Sequence, residues 1–139
     1  MGRKRKQLKQ RHSSNGKRLK TSSTPTSSTQ SQTPLFCLNM LKGRYCLSHC
    51  EQEERAAFAD TLHKLSKLTW AQILTSGRHA SGCEIISRDS LRFDLPTTVT
   101  DDVRILAFRF HSRSPMLGYR NGRTYHVLAL DRDFTAYDH

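Results

Sequence analysis

The chain has 139 residues, with 23 Lys and Arg against 12 Asp and Glu, for a formal charge of +11. Nine of the basic residues and none of the acids lie in positions 1–34, so 14 basic and all 12 acidic residues leave positions 35–139 near +2. About 105 residues remain after the basic tail, enough for one core and not two, and no run approaches the ~20 apolar residues of a membrane-spanning helix.

The tail, 1–34, has Met1, Leu8 and Leu19 as its only large apolar residues. That is too little to offset an ordering cost of about 1–2 kcal/mol per residue, so disorder is expected. Thr21–Pro34 is a Ser/Thr/Gln/Pro stretch that reads as a flexible linker. Lys4, Arg5, Lys6 and Arg18 are candidate nucleic-acid contacts of the kind that bind polyanions without sequence preference. Arg5-Lys6 and Lys17–Lys20 also match the loose form of a bipartite nuclear import signal. No apolar stretch follows the basic start, so no secretory signal is expected, and Cys37, Cys46, Cys50 and Cys83 are expected as reduced thiols in a cytoplasmic setting.

Leu35–Met40 is an apolar run that predicts a first strand. Ser48 and Glu51 have capping-box spacing. Ala57, Phe58, Leu62, Leu65 and Leu68 then recur every three or four residues, predicting a helix of about five turns. Thr69 and Gln72 repeat the box and predict a short helix over Trp70–Leu74. Glu84–Ile86 predicts a strand, and Pro96 among Thr and Asp residues predicts an irregular connection over 89–102. Residues 103–110 alternate with period two and are apolar on both faces, as a central strand requires. Met116–Arg120 is the next strand, Asn121-Gly122 signals a type I′ hairpin, and Arg123–Leu130 returns. Phe134–His139 adds an edge strand or a short tail. The order predicts an α+β fold, two helices packed on one face of a small antiparallel sheet.

Within this frame, Arg109 interrupts the apolar face of Val103, Ile105 and Ala107. A guanidinium there demands a partner, either Asp131 or Asp133 in an ion pair or a bound phosphate. Arg113, Arg120 and Arg123 flank the hairpin connections, as solvated ends or as a phosphate-contacting patch. His111, His126 and His139 have the near-neutral titration that proton transfer uses, and Tyr137-Asp138-His139 is rich in acid–base groups. Glu84 qualifies as a base only if it points away from the core. Arg78 and His79 occupy a loop flanked by Gly77 and Gly82, a setting that often carries binding groups. Cys46, His49 and Cys50 lack the paired Cys-x-x-Cys of strong zinc sites, so no metal site is expected.

Three features combine over residues 35–139: Leu65-Ser-Lys-Leu-Thr-Trp70 closing a long helix, the strand Ile105–Phe110, and a hairpin followed by Tyr137-Asp-His139. Together they resemble the RelE/ParE-like toxin superfamily of bacterial toxin–antitoxin systems. The resemblance implies the order β-α-α-β-β-β and ribosome-associated cleavage of messenger RNA, or, in another branch, gyrase inhibition. The implied ribonuclease chemistry is a metal-free phosphoryl transfer without a cofactor. A ribose 2′-hydroxyl attacks the adjacent phosphate, with Arg109, His111, Tyr137 and His139 as the candidate catalytic set. Arg113, Arg120 and Arg123 join Lys4, Arg5, Lys6 and Arg18 as nucleic-acid contacts. Implied partners are RNA or the ribosome and a protein antitoxin, with no membrane and no small-molecule cofactor. The near-neutral domain departs from the strongly basic ribosome-binding toxins. The alternative is a non-catalytic nucleic-acid-binding or protein-interaction module with a basic tail.

Overall fold

The computed structural model describes residues 28–77, 80 and 82–139. The expected disorder of the basic tail, with Lys4, Arg5, Lys6 and Arg18, and the loop residues Arg78 and His79 lie outside the described residues. The regular elements are β1 (Leu35–Cys37), α1 (Gln52–Leu65), α2 (Trp70–Thr75), β2 (Glu84–Ile86), β3 (Ile105–His111), β4 (Ser114–Asn121) and β5 (Thr124–Leu130). The class is α+β, as composition and periodicity predict.

The sheet differs from the expectation in its pairing. Four strands follow the helices, as the residue pattern predicts and one more than the order the resemblance implies, and the sheet is mixed and not wholly antiparallel. Its order is β1-β5-β4-β3-β2, and β1 pairs parallel to β5 with Leu35 opposite Thr124 and Cys37 opposite His126. Parallel neighbours need a long crossover, which the helices, β2 and the β3–β5 meander supply.

Each sheet face has its own core. On one, Phe58 and Leu65 of α1 and Trp70 and Ile73 of α2 pack on Leu106, Phe108, Phe110, Tyr125 and Val127. The Phe58 and Phe110 rings meet edge to face at 6.0 Å. The Tyr125 hydroxyl donates to the Leu106 carbonyl at 2.8 Å, satisfying a phenol that is wholly buried. Among the described residues no α-helix covers the other face. Leu91, Phe93, Leu95, Val99 and Val103 from the irregular connection, with Ala136 and Tyr137, pack on Ile105, Ala107, Leu117 and Ala129. Arg88 braces that connection by donating to the Val103 carbonyl at 2.9 Å.

Helix α1 begins three residues later than the Ser48–Glu51 box implies. Ser48 sits in a 3-10 turn over Leu47–His49, and Glu51 is the N-cap. The Glu54 carboxylate accepts the Glu51 N–H at 2.7 Å and a forked pair from Arg132 Nε at 2.7 and 2.8 Å. This long-range anchor moves the start to Gln52. The second helix follows its local signal: Thr69 Oγ1 accepts the Gln72 N–H at 3.2 Å and Gln72 returns the bond at 2.9 Å.

The β4–β5 hairpin is shifted by one residue. Asn121 pairs with Thr124, so Gly122 and Arg123 are the central residues. Of these, only Gly122 has positive φ, +61°, the pattern of a II′ turn and not I′. Arg123 is fixed by long-range bonds. Its guanidinium donates to the Thr33 carbonyl and hydroxyl at 2.9 and 3.1 Å, and its carbonyl accepts the Trp70 indole N–H at 2.9 Å.

The end of the presumed linker is ordered for the same reason. Thr29–Ser31 forms a 3-10 turn, and the Gln32 carbonyl accepts the Trp70 N–H at 3.0 Å. The Arg120 guanidinium lies 4.4 Å over the Trp70 ring and donates to Gln30 and Thr29, each at 2.9 Å. The folded unit therefore includes Ser28–Pro34.

Candidate functional site

A cleft of about 560 Å³ opens where β2, the β3–β4 turn and the C-terminal segment meet. Its walls carry Glu84, Arg109, Arg113, Phe134, Tyr137 and His139, over a floor that includes Ala107 and Pro115. Three separate parts of the sequence thus converge.

Arg109 reaches the cleft through strand alternation. Ile105 and Ala107 pack on the sheet face without helices, and Arg109 continues that face beyond β2, which pairs no further along β3 than Ala107. Its side chain is exposed, so the guanidinium remains solvated instead of buried. Asp131, one of its expected partners, is committed elsewhere. Neither Arg109 nor Arg113 forms an ion pair or hydrogen bond among the described residues. Arg109 also borders an adjoining recess of about 150 Å³ that holds Lys64 of α1.

His111 does not line this cleft. The β3–β4 register shifts between Arg109 and His111, and the extra residue breaks the alternation. His111 lies near Glu54, whose carboxyl is held below its usual range chiefly by the hydrogen bond from Arg132. Arg120 and Arg123 are likewise elsewhere, engaged with Trp70, Thr29, Gln30 and Thr33. They anchor the chain from Ser28 onward and form no patch with Arg113. His126 stacks on Tyr119 at 4.7 Å and 12°, on the helix-free face but outside the cleft.

The C-terminal segment is held firmly. Asp131 is fully buried, and its carboxylate accepts the Thr135 N–H at 2.8 Å and the Ala136 N–H at 3.1 Å. Beyond that turn, Tyr137 bridges Leu91, the Asp138 N–H donates to the Ser90 carbonyl at 2.9 Å, and Asp138 forms an ion pair with Arg92. Tyr137 is consequently buried, and the His139 ring lies 4.2 Å from it. The expected edge strand is a single bridge followed by a pinned tail.

Glu84 meets the condition set for it: it is exposed and faces the cleft. Among the described residues it has no hydrogen bond or ion pair. The cleft thus offers two guanidinium groups without a partner among the described residues, the carboxylate of Glu84, that of Asp138 paired with Arg92, a phenol and an imidazole. That set can bind an anion and transfer protons beside it. Among the described residues no group of three His, Cys, Asp or Glu side chains is placed to hold a metal ion, and no helix is long and apolar enough to cross a membrane.

The sequence offers Asp131 as a partner for Arg109 and not as the cap of the C-terminal turn, and it does not single out Phe134. Both matter through burial and backbone conformation, which leave no local signature. No family model matches the chain, and neither does any curated protein or solved structure.

Proposed function

We propose that this protein is an endoribonuclease of the RelE/ParE-like toxin type that cleaves messenger RNA on the ribosome by acid–base phosphoryl transfer. The observation that carries the reading is the convergence of Arg109 and Arg113, both without an ionic partner among the described residues, with Glu84, Tyr137 and His139 in one cleft. The guanidinium groups receive the scissile phosphate and its growing negative charge. Glu84 takes the proton of the 2′-hydroxyl, whose oxygen attacks phosphorus. His139 gives a proton to the departing 5′-oxygen. The products are a 2′,3′-cyclic phosphate and a 5′-hydroxyl end. Tyr137 supports His139 through their ring contact.

The test is incubation of the full chain with ribosomes translating a defined message, followed by mapping of the RNA ends. Cleavage should yield cyclic phosphate termini, and it should fall by about 10²–10⁴-fold in Glu84→Gln and His139→Ala. Intact message, or cleavage indifferent to Arg109→Ala, sinks the proposal.

A second reading, a non-catalytic interaction module, is favoured by one observation: the domain's charge is close to balanced, which gives weak long-range attraction to a polyanion. It predicts binding without new RNA ends in the same assay.

A further inference from the structure

Phe134 has three features that packing does not explain. It is the one aromatic among the large apolar side chains left exposed in the described residues, at 42%. Its backbone has φ +58°, in the left-handed region where a bulky side chain is an outlier. It also lines the cleft that holds Arg109 and Arg113.

Such a conformation persists only where the surroundings over-determine it, and here they do. On the C-terminal side, the buried Asp131 carboxylate grips the Thr135 and Ala136 N–H groups. On the N-terminal side, Arg132 is forked onto Glu54 at 2.7 and 2.8 Å. The turn thereby holds an apolar ring outward, at the cleft, against its conformational preference. The ring meets His139 at 66° with centroids 5.5 Å apart, so the two form a corner and do not stack on each other.

We propose that Phe134 is a stacking platform for one unpaired nucleobase whose neighbouring phosphate sits at Arg109 and Arg113; this rests on the phosphodiester reading of the cleft. Stacking on an aromatic face tolerates any base, but it requires the base to be out of a duplex. The cleft therefore selects single-stranded segments without reading their sequence.

The experiment uses the full chain and a 2′-O-methyl RNA hexamer, which cannot be cleaved, carrying one 2-aminopurine. Binding should quench the 2-aminopurine fluorescence. Phe134→Leu keeps the apolar bulk but removes the ring; it should weaken binding about tenfold, as for one lost base stack, and abolish the quenching. Phe134→Trp should retain both. The same hexamer paired to its complement should show no added quenching. Wild-type affinity and quenching in Phe134→Leu would overturn the platform. If Arg109→Ala still abolished binding in that case, the phosphate site would stand without it. Binding by the parent protein without quenching would overturn the platform alone, and absence of binding would overturn both.

Discussion

Replacing Asp131 with Asn perturbs the anchor of the C-terminal segment while changing only one atom type. The carboxylate is fully buried and accepts two backbone N–H groups, from Thr135 at 2.8 Å and Ala136 at 3.1 Å. An amide keeps one acceptor and turns an N–H₂ toward the other donor. One charge-assisted bond, worth about 1.5–3 kcal/mol, is lost and a buried N–H is left unpaired, so the cost should be about 2–4 kcal/mol. With a urea slope of roughly 1.5 kcal/mol/M for a domain of this size, the unfolding midpoint should fall by about 1.3–2.7 M. Trp70, the single tryptophan, is fully buried and reports the transition by fluorescence. Amide exchange at Thr135 and Ala136 should accelerate before global unfolding. A midpoint within about 0.3 M of the parent, roughly 0.5 kcal/mol at that slope, would refute the reasoning that this carboxylate holds the cleft's far wall.

Three further outcomes are expected. His139 is exposed, so His139→Ala should leave the urea midpoint within about 0.5 kcal/mol while RNA cleavage drops; parallel losses of stability and activity would mean that the imidazole only packs. The hydrogen bonds from Arg132 hold the Glu54 carboxyl below the usual range, so the unfolded chain takes up that proton at higher pH than the folded one. The pair's stabilisation is therefore complete above about pH 4.3 and is lost as pH falls through the lower folded value; urea midpoints against pH should show this acid limb flattened in Glu54→Gln. A Cβ on Gly118 would lie 2.2 Å from the His126 carbonyl oxygen and 2.7 Å from Tyr125 Cζ, so Gly118→Ala should cost about 3 kcal/mol and lower Tm by roughly 10 °C or more in a thermal scan.

What was legible in the sequence was local. Thr69 and Gln72 announce α2 because the bonds that cap it lie within the same turn. The period-two pattern puts Arg109 on the face of Ile105 and Ala107, which leads it to the cleft. What was not legible depends on distant partners. Nothing near Ser48 shows that Arg132 will fix Glu54 and start α1 later. Nothing in the Ser/Thr-rich stretch shows that Arg120 and Arg123 will order Ser28–Pro34. His111 left the expected cluster because of one bulge, which alternation cannot foresee. The cleft was half legible: Arg109, Arg113, Tyr137 and His139 were singled out, and Glu84 was admitted only on a condition of orientation, whereas Phe134 declares itself only through its backbone angle and exposure.

The parallel pairing of Leu35–Cys37 with Thr124–His126 sets the order in which the molecule can become functional. Its first strand has no sheet partner until nearly the whole domain has been synthesised. The pairing closes a long loop, and such non-local contacts slow folding. The meander from β3 to β5 can zip early because its strands are sequential neighbours. The cleft needs β2, the β3–β4 turn and residues beyond β5 at once. A ribosome-bound nascent chain would therefore carry the basic tail long before it could present an assembled cleft. Under the proposed function, charge-driven association would precede cleavage during synthesis.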